Sequence, residues 1–344
     1  MNPVIVEVTR GNRVESRHRG ALCVCDADGG IVAAIGDIDA AIFPRSAVKA
    51  LQALPLVESG IADRLGLTDA ELALACASHS GEAAHVAAAA AMLTKAGRDE
   101  NSLECGAHWP LGEAAARALA RSGGEPRALH NNCSGKHAGF VCLACGLGAD
   151  PRGYVESGHI VQHEVRAALE ALTGVAHSAE NSGIDGCSIP TYAVPVRALA
   201  LAFARFGAEQ GMQPLRALAS RRLRQVVAAN PHMVAGTGRF DTRIMTLLGI
   251  RAFTKTGAEG VFCAALPELG LGIALKCDDG GTRAAEAMLA VALERLLPLS
   301  DIEKAGMRDF VGPLSRNWNG IVTGGIAPTP EFRLMLPAHG RILR

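Results

Sequence analysis

Ser46 and Lys49 stand three apart in FPRSAVKAL, residues 43–51, just after a proline and at the head of an apolar run. At this spacing their side chains are neighbours on one helical face. The ordinary reading is a capping serine followed by a solvated lysine. The chemical reading is a serine nucleophile with its base. A helix start suits the second, because its free backbone N–H groups favour developing negative charge. A lysine becomes a useful base only when burial or a second cation lowers its pKa. The chemical reading therefore demands another lysine in the same pocket. The chain supplies Lys255 in TKTGAEG, on a predicted strand that turns into the next, and Ser78 in the polar loop ASHSGE.

S-x-x-K, then S-D-N, then K-T-G is the ordered signature of serine β-lactamases and penicillin-binding proteins. Here S-A-V-K, S-H-S and K-T-G follow in that order, on a helix start, a loop and a strand. Each tripeptide alone is ordinary. Together they point to a Ser-Lys active site.

A second constellation is separate. NNCSGKHAGF carries Cys133, Lys136 and His137 at a helix entrance, and NSGIDGCSIP carries Asp185 and Cys187 in a glycine-rich loop. Polar loops are unusual places for cysteine. The two thiols could share a soft metal, zinc first, but two fall short of a closed four-ligand site, and spacing alone favours unrelated thiols. Cys142 and Cys145 lie in the apolar run FVCLACGL, where core packing outweighs a redox role. GGEPRALH and AGTGRFDTR lack P-loop spacing and read as turns.

These side chains need elements to position them. VIVEVTRG and ALCVCDADGGIVAAIG read as strands, the second a hairpin folded at DADGG. Between Ser46 and about residue 230 the chain runs in alanine-rich helices: SAVKALQAL, AAHVAAAAAMLTKAG, LGEAAARALARSG, HAGFVCLACGLG and HIVQHEVRAALEALTG. Strands return in RAFTKTG, GVFCAALPELGLGIALKC and GIVTGG, with one helix, GGTRAAEAMLAVALERLLP, among them. The prediction is an α/β (α+β) fold in one domain, 1–344. An antiparallel sheet comes from both termini, 1–45 plus 251–344, with a helical lobe, 46–250, inserted.

The 344 residues are 49% hydrophobic and 20% charged, enough for a sizeable core and against disorder. Thirty-four basic residues balance 34 acidic ones, and no basic stripe marks a nucleic-acid partner. The N-terminus lacks the basic and apolar regions of an export signal, and no 18 uninterrupted apolar residues offer a membrane span. The ten cysteines are therefore expected to be mostly reduced thiols in a cytoplasmic protein.

Over essentially its whole length the chain resembles the rhizobial-type (class 3) L-asparaginases, the bacterial asparaginase II family. The resemblance runs from VEVTRG and ESRHRG through FPRSAVKALQALP, ASHSGE, HNNCSGKHAGF and NSGIDGCSIPTYAVP to TKTGAEGVFCAALPELGLGIALK. It implies a fold like the serine β-lactamase and glutaminase scaffold, a homodimer, and hydrolysis of L-asparagine to L-aspartate and ammonia by two Ser-Lys tandems. The matching positions are Ser46 with Lys49 and Ser78 with Lys255. It also implies zinc held by Cys133, Lys136 and Cys187 with water. In the mechanism this suggests, neutral Lys49 takes the Ser46 proton, cationic Lys255 acts through Ser78, and N–H groups of Ser46 and of the K-T-G strand hold the oxyanion. Arg45, His137 and Asp185 would contact substrate. The competing readings are β-lactam or cell-wall peptide acylation, glutaminase activity, or a zinc- or redox-responsive protein without catalysis.

Overall fold

The computed structural model describes residues 1–339. Val4–Arg10 (β1) and Arg13–Asp26 (β2) pair antiparallel, and β2 folds onto Ile31–Ile35 (β3). The aspartate-glycine turn closes this hairpin as its composition predicts: the Asp26 carboxylate accepts the N–H of Asp28 at 3.0 Å and of Gly30 at 2.8 Å. After the helical middle, the chain returns through Phe253–Thr256 (β4), Val261–Leu266 (β5) and Leu271–Cys277 (β6). Leu314–Arg316 (β7) and Val322–Pro328 (β8) complete the sheet. Every pairing is antiparallel, in the order β7-β8-β1-β2-β6-β5-β4, with β3 also on β2. Strands from both ends of the chain thus share one sheet, joined where β2 meets β6 from Gly20↔Cys277 to Asp26↔Leu271.

Successive side chains of a strand face opposite ways, and β2 divides the interior accordingly. Leu22 and Val24 enter a wholly apolar core with Ile273, Leu275, Met288 and Leu289, while Cys23 and Cys25 join the core shared with the helical middle. Four helices matter for the site: Ser134–Gly146 (α1), Val196–Ala208 (α2), Phe240–Leu248 (α3) and Thr282–Leu296 (α4). α2 lies so close to β6 that a Cβ on Gly272 would come within 2.0 Å of the Ala200 carbonyl oxygen. Glycine there is what lets the helix layer seat on the sheet.

The helical runs read from sequence form, with one instructive exception. SAVKALQAL is not one helix. Arg45–Val48 is a 3-10 turn, followed by short α-helices at Lys49–Gln52, Leu54–Glu58 and Ile61–Arg64. Pro55 opens the helix Leu54–Glu58, and left-handed Gly60 (φ +71°) separates that helix from Ile61–Arg64. The runs read as helical did not include the helices Val196–Ala208, Pro214–Ala229 and Phe240–Leu248, and AGTGRFDTR, expected as a turn, enters the last of these at Phe240. Also unanticipated were a hairpin of Ser182–Ile184 with Pro190–Tyr192 and the helix Asp301–Val311, which begins with a Ser300/Glu303 capping box. Among the described residues no helix is long and apolar enough to cross a membrane.

Candidate active site

Lys49, Lys136 and Lys255 are each at most 2% exposed, three of the largest fully buried side chains in the protein. Taking an ammonium out of water costs several kcal/mol unless partners compensate. Three in one region mark a site built for more than packing.

Two of them meet at one hydroxyl. Ser78 Oγ lies 3.0 Å from Lys49 Nζ and 3.0 Å from Lys255 Nζ. Lys49 also donates to the Ala77 carbonyl at 2.6 Å and to Cys133 Sγ at 3.1 Å, so its contacts use all three N–H bonds of an ammonium. Lys255 has one further partner, the Thr256 carbonyl at 2.8 Å. Burial pushes the Lys255 pKa down to about 7, Asp241 resists the fall, and Lys49 and Arg239 add to it. Lys255 is the lysine with fewer acceptors around its nitrogen.

Ser46 lies in the 3-10 turn that leads into Lys49. It is half-buried, whereas Ser78 is 4% exposed, and its hydroxyl has no hydrogen-bond partner among the described residues. The 3-10 turn eclipses i and i+3, yet Lys49 turns its nitrogen to Ser78 and not to Ser46. The preceding residue, Arg45, has φ +50°, a left-handed conformation that costs a non-glycine residue about 1 kcal/mol or more. Ser188 (φ +76°) beside Cys187 and Glu259 (φ +55°) after K-T-G are strained likewise. Such strain collects at functional sites. The K-T-G glycine holds the pieces together, since a Cβ on Gly257 would lie 2.8 Å from the Pro44 carbonyl oxygen.

The oxyanion donors differ from expectation. Thr256 N–H is taken by Asp241 at 3.0 Å and Gly257 N–H by the Val261 carbonyl at 2.7 Å. Among the described residues, only the Ser46 N–H of the two suggested donors has no acceptor.

The sulfur residues gather next to this pocket. Cys133, at the start of α1, has its pKa held well below that of an ordinary thiol by a hydrogen bond from Cys187, against burial and with help from Lys49 and Lys136. Cys187, the proton-bearing partner, is raised. Lys136 Nζ lies 2.9 Å from Cys187 Sγ; burial opposes its charge, but the Cys187 and Cys133 sulfurs overcome that and raise its pKa. Two sulfurs and an amine converge, which is the donor set a soft divalent ion takes once protons leave. The Lys136 ammonium donates to the Cys187 sulfur.

Asp185 and Arg45 bond to each other, Nε to Oδ1 at 2.5 Å. Burial works against the Asp185 charge, but Lys136 and Arg45 hold its pKa below the ordinary carboxylate value. His137 Nδ1 lies 2.6 Å from the Tyr154 hydroxyl, which itself accepts the Glu104 N–H at 2.9 Å. That hydroxyl donates to Nδ1, so the His137 proton is assigned to Nε2, a buried atom with no partner among the described residues. Burial, then Lys136 and Lys49, keep the imidazole neutral. The structure thus brings together Ser78, Lys49 and Lys255, links them through Cys133 to Lys136 and Cys187, and sets Asp185 with Arg45 beside the sulfurs. It does not hydrogen-bond Ser46 to Lys49. Sequence reasoning missed Tyr154 and Asp241, which fix His137 and the K-T-G strand from positions with no recognisable spacing.

A family model for L-asparaginase II matches residues 6–328. The chain belongs to the L-asparaginase II family. Membership makes it an amidohydrolase of the asparaginase kind. Comparison with individual curated proteins gives no match.

Proposed function

We propose that this member of the asparaginase II family hydrolyses the side-chain amide of L-asparagine to L-aspartate and ammonia through an acyl-enzyme on Ser46, on a scaffold of the serine β-lactamase kind. The observation that carries the reading is the hydroxyl of Ser78 shared between two buried lysines. Lys49 donates a proton to Ser78, and Ser78 passes its own to Lys255, whose pKa near 7 lets it accept at neutral pH. Lys49 is then a free amine, one residue turn from Ser46, and takes the Ser46 proton as Oγ attacks the amide carbon. The Ser46 N–H holds the oxyanion. Returning the proton to the leaving nitrogen releases ammonia, and water then frees aspartate. The Arg45–Asp185 pair supplies opposite charges for the substrate's carboxylate and ammonium, and the unpaired Nε2–H of His137 supplies a donor.

Cys133, Lys136 and Cys187 fit zinc as a donor set and would hold it beside the substrate anchors. Bound there, zinc would contribute positive charge and order to the substrate loops. This chain's residues already provide nucleophile, base and cation, so no attacking water on a metal is needed.

Ammonia release from asparagine and glutamine by purified protein tests the reading. Mass spectrometry of the enzyme with a slow substrate should find the acyl group on Ser46. A second assignment, Ser78 as nucleophile, is favoured by its direct hydrogen bonds to both lysines; an acyl group there would establish it. Turnover of a chromogenic β-lactam, with none of asparagine or glutamine, would overturn the amidohydrolase reading.

A further inference from the structure

Asp241, on α3, is 1% exposed and is not part of the Ser-Lys set. Its two carboxylate oxygens do separate work on one strand. Oδ1 accepts the Thr254 hydroxyl at 2.8 Å and Oδ2 accepts the Thr256 N–H at 3.0 Å. These residues flank Lys255 on β4, which among the described residues pairs only with β5 and is the sheet's edge. An edge strand presents unpaired backbone N–H groups and is the part of a sheet most free to shift. Asp241 fills one of those donors with a buried acceptor and grips the alternate side chain as well. Lys255 is thereby fixed between two residues that a single carboxylate holds.

We propose that Asp241 is a positioning residue of the asparaginase reaction: it pins the Thr254–Thr256 strand so that Lys255 Nζ stays on Ser78, and it supplies a buried negative charge that acts on that lysine. The inference rests on the Ser-Lys reading of the site. The charges that face Lys255 are few. Asp241 favours its charged form and Lys49 and Arg239 disfavour it, with Cys133 favouring it more weakly. The nearby thiols of Cys76 and Cys263 are pushed upward by burial and stay protonated. From α4, Glu286 lies close enough to Asp241 for the two carboxylates to influence each other.

The two duties predict different signatures. Asparagine at this position keeps one acceptor oxygen and turns an NH2 group toward the other donor. It also removes the charge that resists the fall of the Lys255 pKa. Asp241→Asn should therefore lower kcat/KM on the order of a hundredfold, the scale of a misplaced reacting group. It should also move the acidic limb of the pH–rate profile toward acid by about one pH unit or more. Thr254→Val keeps the charge and loses one hydrogen bond, so it should lower kcat roughly tenfold with the limb in place. A folded Asp241→Asn variant whose limb stays put overturns the electrostatic part. A Thr254→Val variant with an unchanged rate overturns the positional part, and it carries the test should Asp241→Asn fail to fold. Lys255→Met, assayed alongside, separates the two levels. If it retains full activity, the Ser-Lys reading itself falls; if it is inactive while both other variants behave as wild type, only the role of Asp241 falls.

Discussion

Lys255 and Lys136 are buried to the same degree, yet their pKa values move in opposite directions. Lys255 sits among oxygens, the Ser78 hydroxyl and the Thr256 carbonyl, with another ammonium close by. Lys136 sits against sulfur, 2.9 Å from Cys187 and near the deprotonated Cys133. Burial alone would depress both. The partner decides which lysine keeps its proton, and so which half of the site exchanges protons and which half holds a cation. The oxygen-lined half is suited to acid–base work. The sulfur-lined half is suited to binding.

The sharpest contrast should come from deleting each lysine. Lys255→Met should reduce kcat by about 10⁴-fold or more, the scale of losing a member of a catalytic unit. Lys136→Met should act mainly on KM, and steady-state ammonia release over a range of asparagine concentrations separates the two. Equal losses of kcat would erase the division between the halves.

A smaller effect is expected from the thiols. Chelation, or Cys187→Ser, should raise KM by about 10–100-fold while lowering kcat less, on the scale seen when groups supporting a metal site are lost. Metal content measured on protein purified without chelator gives the companion reading. Zinc bound to wild type and absent from Cys187→Ser is the expected pair; complete loss of kcat with the fold intact would make the metal catalytic.

The pH profile is milder. Lys255 must be neutral to accept a proton, and its pKa is about 7. Below that, kcat/KM should fall tenfold per pH unit, and above it the rate should level off. A profile flat from pH 6 to 9 would remove Lys255 from the proton path.

Stability should show the smallest difference. For Lys255, folded pKa about 7 against 10.5 unfolded, the unfolded chain binds more protons between those values, so this group makes stability rise with pH across that window. For Lys136 the folded pKa is raised. Its contribution is complete below the unfolded value of 10.5 and is lost as pH rises through the folded one. Urea melts of metal-free protein at pH 7 and pH 10 should detect the first trend, and Lys255→Met should flatten it.

Much of this was legible because the informative residues are closely spaced. Ser46 and Lys49 are a turn apart, and the strand–helix–strand order follows from β-branched runs, alanine-rich runs and glycine stops. The break before Leu54 was less visible, since Pro55 suits the first turn of a following helix as well as a break. Pairings across the fold left no local trace. Tyr154 reaches His137, and Asp241 reaches Thr254 and Thr256, through tertiary packing between ordinary residue types. The depressed pKa of Lys255 was not legible either, because spacing shows proximity in sequence and not burial or the number of acceptors around a nitrogen.

The join between β2 and β6 has a consequence for how the enzyme comes into being. β2 ends at Asp26 and β6 spans Leu271–Cys277, so the central seam of the sheet cannot close until about 250 residues after β2 have been synthesised. Ser46, Lys49 and Ser78 leave the ribosome long before Lys255, which arrives only with the late strands. Pairings this distant in sequence are slow to form, and the helical middle must wait with its sheet-facing surface uncovered. Catalytic competence is therefore a late event in biogenesis, and a chain truncated before β6 would carry both serines without ever assembling the enzyme.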